Sequence, residues 1–455
     1  YHPEPLEHYT DAVIYEMHVR DFSIDKSGNF CYKGRFLAFV EKGVINAAGD
    51  KIGIDHLKEL GVTHVHLMPS FDYQTVDETR LNVPQFNWGY DPQNFNCPEG
   101  SYSTNPYDGR ARVAEFKRLV HALHCQGIRV IMDVVYNHTY ATADSPFNKI
   151  FNKYYYRLWG ENGEYFSNGS GCGNEIATER FMVRKYIIDS LVYWATEFKI
   201  DGFRFDLMGL YDIETMNKID ETLHAINPDI ILYGEGWIGG DSPLADSKRA
   251  MKLNARHTPN IAFFSDDFRD TIKGNNFENR SRGYVNGATG SEEYVKEVMC
   301  GRIPHPQIPN LTKFAWTLSP CQTVNYVEAH DNLTLWDKLI YTNPTDSLDT
   351  RKKMDKMAAA CVFLAQGIPF IQAGQDFLRS KPLPGGAYDH NSYNSPDAVN
   401  SLKWDRKSEF RDVFDYYKGL IEFRKAHSAL RMFTAEDIGR NMKFFDHLPP
   451  RIVGF

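Results

Sequence analysis

No Cys-x-x-Cys pair occurs in this sequence, and its seven cysteines (Cys31, Cys97, Cys125, Cys172, Cys300, Cys321 and Cys361) are odd in number and scattered. That pattern excludes a zinc knuckle and a disulfide framework and leans towards a reducing compartment. No long Lys/Arg run is present. With a net charge of −8 and a pI near 6.1, the chain lacks the basic stripe that a nucleic-acid partner would require. Long hydrophobic runs are missing too. The most apolar stretch, Met357 to Gly374, is broken by Gln366, Pro369 and Gln372 and is too short to span a bilayer, so no membrane partner is expected. The chain opens Tyr1-His-Pro-Glu-Pro without an initiator Met or an apolar leader. Both ends look cut. The expected location is cytoplasmic, with a secreted or cell-surface protein as the alternative, and oligomeric state is not readable.

What is present is an aromatic surplus and a repeating βα pattern. Aromatic residues make up 14% of the chain, including 26 Tyr and 7 Trp, and sugar-binding clefts use such flat apolar faces with polar tips. Eight strand candidates alternate with helical patterns: Ala12–Val19, Thr63–Met68, Arg129–Val135, Gly202–Met208, Ile230–Glu235, Ile261–Ser265, Thr323–Ala329 and Pro369–Ala373. Phe116, Leu119, Val120 and Leu123 share one helix face, and Ile187, Ile188, Leu191, Ala195 and Phe198 a second. Met354, Met357, Ala358, Cys361 and Ala365 line a third, and Phe410–His427 is a last amphipathic helix. Eight β-then-α units, with no Gly-rich dinucleotide turn after the first strand, predict a closed (β/α)₈ barrel. The predicted catalytic barrel covers 1–427 and includes an inserted subdomain at 139–178. Long connections follow the second strand (Pro69–Arg112) and the sixth (about Phe268–Gln322). Residues 428–455 read as the beginning of a C-terminal β domain.

Chemistry-bearing side chains recur at strand ends. The third strand ends Asp133-Val-Val-Tyr-Asn-His138, the fourth carries Arg204 and Asp206, the fifth ends Tyr233-Gly-Glu-Gly-Trp237, and the seventh ends Glu328-Ala-His-Asp-Asn332. On the fourth strand, alternation puts Phe203, Phe205 and Leu207 on one face and Arg204, Asp206 and Met208 on the other. Several carboxylates crowded at one mouth repel and raise one another's pKa, which argues for function. Three carboxylates with an adjacent Arg suit glycoside hydrolysis, in which one acid protonates the leaving oxygen while another attacks the anomeric carbon. Retention needs the pair about 5–5.5 Å apart, and neighbouring strands lie about 4.8 Å apart. Asp206 and Glu235 therefore form the working pair, with Asp331 as a third anion.

These four segments resemble, in order and content, the four signature regions of the α-amylase superfamily. The resemblance implies a retaining α-glycosidase with Asp206 as nucleophile, Glu235 as general acid/base and Asp331 as transition-state stabiliser. It also implies that Asp133, His138, Arg204 and His330 contact the sugar or its catalytic groups. Asn87-Trp-Gly-Tyr-Asp-Pro92 is similar to the YNWGYDP motif of type I pullulanases, with Phe86 in place of the first Tyr. It makes Tyr90 a stacking platform and places Trp88 at the site. Gly171-Cys-Gly-Asn174 and Asn391-Ser-Tyr-Asn-Ser-Pro-Asp397 are similar to debranching-enzyme loops, adding Asn391 and Tyr393, and Trp237 is a candidate platform beside the acid.

The implied substrate is a branched α-glucan or pullulan, cleaved at α-1,6-glucosidic linkages. An isoamylase or glycogen debrancher is the alternative within the class. Outside it stand a non-catalytic glucan-binding protein, which would have lost a catalytic carboxylate, and a metal-dependent barrel hydrolase using His64-Val-His66. That pair falls early in its strand, whereas catalytic residues gather at strand C-termini. No catalytic metal or cofactor is predicted. Amylase relatives often hold a structural Ca²⁺ near the insertion after the third strand, where Asn137 could offer an oxygen, but no metal ligand is assigned.

Overall fold

Runs of β-branched and aromatic residues with few polar interruptions are stable as strands only when both faces are covered. All eight predicted runs form strands in the computed structural model, which describes residues 3–309 and 315–455. They are β1 (Ile14–Met17), β2 (His64–Leu67), β3 (Arg129–Val134), β4 (Gly202–Phe205), β5 (Ile231–Gly234), β6 (Ala262–Phe264), β7 (Thr323–Asn325) and β8 (Ile368–Gln372). Consecutive strands pair in parallel and the ring closes between β8 and β1, where Ile14 lies opposite Phe370 on one side and His64 on the other. The first seven strands are shorter than their sequence runs, because pairing stops where the chain bends into the loops of the mouth, while β8 keeps its length and starts one residue earlier.

Two apolar clusters result. Ile14, Ile131, Ile231, Tyr233, Phe264 and Phe370 belong to the packed barrel interior. The outward faces of the strands meet the helices in a larger cluster that includes Phe203 and Phe205, each burial being worth about 1.5–3 kcal/mol. The main covering helices are α1 (Ile54–Leu60), α2 (Gly109–His124), α3 (Phe181–Glu197), α4 (Ile213–Ile226), α5 (Asp266–Lys273), α6 (Leu335–Thr342), α7 (Leu348–Leu364) and α8 (Arg411–Ala426). Asp108, Asp212 and Ser347 cap the starts of α2, α4 and α7 by accepting from Arg110, Thr215 and Thr350 backbone N–H groups. No helix among the described residues is long and apolar enough to cross a membrane.

The structure departs from the sequence reading along α7, in the tail and at the end of β4. The long connection after β6 carries helices: α5 begins directly at Asp266 and a further helix covers Glu292–Met299; residues 310–314 of that segment lie outside the described ones. On α7, Met357 is exposed and Asp355 takes the buried position, its carboxylate accepting from the Tyr417 hydroxyl at 2.9 Å. The tail expected to open a β domain forms instead a short turn and a helix, Ala435–Asn441, with no strand among its residues. Thr434 caps that helix and Ile438 is buried beneath it, so a helical local pattern wins there.

A further departure concerns the end of β4. Leu207 adopts a left-handed conformation (φ 40°), which breaks strand alternation. Met208 then joins the outer cluster and Leu207 lines the mouth, the reverse of the alternation expected from a straight strand. The insertion at 139–178 holds a short helix, Pro146–Ile150, and a hairpin pairing Leu158–Trp159 with Tyr165–Phe166.

Candidate active site

A cavity of about 730 Å³ opens at the C-terminal end of the barrel, lined among others by Glu16, Arg204, Glu235, Trp237, His330 and Asp331. Arg204, on β4, organises its floor. One nitrogen of the guanidinium donates to Asp133 Oδ1 at 3.1 Å and to Asp206 Oδ1 at 2.9 Å, and the other lies 2.9 Å from Glu235 Oε1. Taking such a cation out of water costs several kcal/mol, and only several well-placed anions offset that. Three surround this one. Tyr90 and Phe264 add ring faces 5.6 and 5.7 Å from the guanidinium carbon.

The two carboxylates of the pair are held differently. Asn137 donates its amide N–H to Asp206 Oδ2 at 2.7 Å and to the Asp206 carbonyl at 2.9 Å. Burial pushes the Asp206 carboxyl up, against Arg204 and Asn137, which pull it down. Arg204 thus counteracts burial instead of taking the pKa below the ordinary range. Glu235 Oε2 accepts from the Leu207 backbone N–H at 2.9 Å, an interaction that the left-handed turn at Leu207 sets up. Burial, together with the nearby Asp206 and Asp331 charges and against Arg204, raises Glu235 to about 7. Two residues on, Gly209 donates its N–H to the Glu235 carbonyl, and a Cβ there would stand 2.4 Å from the Trp237 carbonyl oxygen. Glycine alone fits at that crossing.

Asp331 is the exception in the group: its side chain is 51% exposed, and its nearest cation is His330 Nε2 at 3.5 Å. His330 is fixed from the opposite direction by Glu16 on β1. Glu16 accepts from the His330 backbone N–H at 2.7 Å and from Nδ1 at 2.8 Å. Burial alone would lower His330, but the Glu16 and Asp331 carboxylates outweigh it and raise it to about 9. Burial likewise works against the Glu16 anion, yet His330 brings Glu16 down to about 2. Glu16 was missed in the sequence because it sits inside the apolar first strand. A single carboxylate in such a run was the available signal.

The loop after β2 supplies the rest. Tyr90 donates its hydroxyl to Asp133 Oδ2 at 2.7 Å and stacks on His330 with centroids 5.0 Å apart at 21°. His138 Nε2 reaches the Tyr90 carbonyl at 2.9 Å and its Nδ1 lies 2.5 Å from Asn137 Oδ1. Gly89 (φ 97°) makes the turn between Trp88 and Tyr90, where a Cβ would meet the Tyr73 ring at 2.9 Å. Trp88 is 6% exposed and packs edge-on to His330 at 4.9 Å, with its backbone N–H donated to the Tyr393 carbonyl. It stands behind the site, not open to it. Trp237 and Asn391 line the cavity, and Tyr393 is 44% exposed above Trp88.

The histidine pair proposed for a metal rival is used otherwise. His66 Nε2 contacts Asp133 Oδ2 at 3.1 Å, and His64 Nδ1 contacts the Thr63 hydroxyl. The Asn137 oxygen lies against His138 Nδ1. Among the described residues, the one acidic group with metal-like spacing is Asp72, Glu78 and Glu99. The Arg112 guanidinium already lies between two of them, bonded to Glu78 and 3.7 Å from Asp72.

Residues 32–159 match the family model of the α-amylase catalytic domain. The chain is 42% identical to a pullulanase of Bacillus subtilis over 97% of its length, and spans 59% of that relative. It is 29% identical to the chloroplastic isoamylase SU1 of Zea mays, again spanning 59% of it. A crystal structure of a Paenibacillus barengoltzii pullulanase in complex with maltohexaose and α-cyclodextrin superposes with a TM-score of 0.94 at 46% identity, over all of this chain and 68% of that one.

Proposed function

The chain belongs to the pullulanases of the α-amylase family, and on that premise we propose that it hydrolyses α-1,6-glucosidic linkages in pullulan, limit dextrins and branched α-glucans with retention of configuration. The observation that carries the reading is the single guanidinium, Arg204, held 2.9 Å from both Asp206 and Glu235. This brings two carboxyl groups of unlike environment to one bond, as double displacement requires. Glu235, raised to about 7, holds the proton near neutral pH and gives it to the leaving oxygen. Asp206 attacks the anomeric carbon as that bond breaks, forming a covalent glucosyl ester. Glu235, now ionised, takes a proton from water, whose oxygen displaces Asp206 and restores the starting state.

Asp331 faces the positive charge that develops on the ring. Tyr90, stacked on His330, offers its ring to the glucose at the cleavage point, while Asp133, Arg204, His138 and His330 bind its hydroxyls or hold the groups that do. Trp237 and Asn391 serve the leaving-group side, and Trp88 and Tyr393 support the Tyr90 loop. In domain terms, 1–427 is the catalytic unit and 139–178 its inserted subdomain. No cofactor enters any step.

Incubation with pullulan, amylose and glycogen in parallel tests the reading. Maltotriose released from pullulan supports it. Debranching of glycogen with pullulan intact would move the assignment to isoamylase-type action, and rapid shortening of amylose alone would overturn α-1,6 specificity.

A further inference from the structure

The loop after β8 carries a cation that does not line the cleft. Lys381 is 1% exposed, and its ammonium meets groups from three other parts of the mouth. It donates to the His330 carbonyl at 3.2 Å and to the Ser392 hydroxyl at 2.8 Å, and it stands 5.6 Å from the centre of the Trp88 ring. Its backbone is pinned as well: the Lys381 N–H donates to Asp337 Oδ2 and its carbonyl accepts from the Asp389 N–H, both at 2.8 Å. An ammonium is among the costliest groups to withdraw from water, and one bonded only to neutral oxygens recovers less of that cost than a close ion pair does. Burial, with Arg379 adding to it, lowers Lys381 to about 8, while Asp21, Glu328 and Glu16 act the other way. The amine therefore keeps its proton near neutral pH.

What the ammonium holds gives its burial a purpose. The His330 carbonyl belongs to the peptide that leads into Asp331, and a planar peptide passes its orientation on to the next residue. At the other end of His330 the backbone N–H donates to Glu16, so both backbone groups of the residue before Asp331 are bonded. Just after Asp331 the chain turns left-handed at Asn332 (φ 67°). Asp331 is itself the least restrained of the three carboxylates, half exposed and with His330 Nε2 at 3.5 Å as its nearest cation. Its aim is thus set by its backbone more than by partners of its side chain.

We propose that Lys381 is a positioning residue for Asp331, its bond to the His330 carbonyl fixing the direction from which the Asp331 carboxylate faces the reacting ring. This rests on the role given to Asp331 above. A clamp that merely ties loops together would weaken the fold when removed, without regard to Asp331.

The test is a double-mutant cycle on α-maltotriosyl fluoride, whose leaving group departs without a proton from Glu235, so that turnover reports how well the charge on the ring is met. Lys381→Met should lower kcat about tenfold to a hundredfold with KM within about twofold of wild type, as a small misplacement of a catalytic group does. Asp331→Asn should lower kcat by about a hundredfold or more. Residues that act as one unit are not additive, so Lys381→Met added to Asp331→Asn should change kcat by less than about twofold. Ser392→Ala leaves the His330 bond in place and should cost no more than about fivefold, the worth of one ordinary hydrogen bond. If Lys381→Met does not fold, Lys381→Gln runs through the same cycle. Undiminished kcat in the Lys381 variant, a loss that falls mainly on KM, a loss that multiplies with that of Asp331→Asn, or an equal loss in Ser392→Ala would overturn the positioning role. Near-normal kcat in Asp331→Asn would overturn the stabilising role of Asp331, and the assignment of Lys381 with it.

Discussion

The two sides of the cleft are built on opposite terms. Around Arg204, Tyr90 and His330 the polar groups answer one another: the guanidinium meets three carboxylates, Tyr90 meets Asp133, and His330 meets Glu16. Across from them, the Lys273 and Asn276 side chains form no hydrogen bond with any described residue and Phe277 is exposed. A satisfied network holds its geometry before substrate arrives, so little reorganisation remains at the moment of reaction. The second wall is less tightly bonded than the first, and its ring is exposed.

The comparison can be broken most severely at Asp206. Replacing it with Ala removes the proposed nucleophile, and turnover of pullulan should fall by roughly four to six orders of magnitude with the fold retained by circular dichroism; near-normal activity would refute its role. Arg204→Met attacks the network itself by leaving Asp133, Asp206 and Glu235 without their cation. Breaking a buried pair from one side costs about 3–5 kcal/mol, so the variant should show a clear drop in denaturation midpoint along with at least a hundredfold loss of kcat.

A gentler probe is pH. Glu235 must carry its proton to act as acid and is raised to about 7. Activity on pullulan should therefore fall about tenfold per pH unit above that value, with a flatter limb on maltotriosyl fluoride, whose leaving group needs no proton. A pullulan rate constant up to pH 9 would exclude Glu235 as the proton donor. The sign for stability is the same: a carboxyl whose folded pKa lies above its unfolded value contributes fully below about 4.5 and loses that contribution as pH rises through about 7. Smallest is Tyr90→Phe, which keeps the ring and deletes the 2.7 Å bond to Asp133. A single charge-assisted hydrogen bond of about 1.5–3 kcal/mol bounds the loss in kcat/KM at roughly tenfold to a hundredfold, and steady-state kinetics would measure it.

Much of this arrangement is legible in the residues. The eight strands are continuous apolar runs between turn signals, and the four strand-end segments put charge where a barrel exposes it. What escapes is decided by neighbours distant in sequence. Glu16 looks like an oddity in a buried strand until His330 is beside it. Leu207 and Met208 exchange faces because one residue turns left-handed, which no alternation rule anticipates. Lys273 and Asn276 sit at the end of a helix whose pattern announces only an ordinary solvated face, and the structure folds that end against the cleft. In the tail, short apolar runs were compatible with strands, but a Thr cap and one buried Ile were enough to favour a helix.

The link between Glu16 and His330 spans 314 residues and joins the first strand of the ring to the loop after the seventh. Contacts of such separation form late, because the ends of a long loop must meet before the bond returns anything. During synthesis at about 5–20 residues per second, Glu16 waits roughly 15–60 s for its partner to leave the ribosome. The ion pair thus ties the start of the ring to its seventh unit, and the strand that shuts the ring against β1 follows it in the chain.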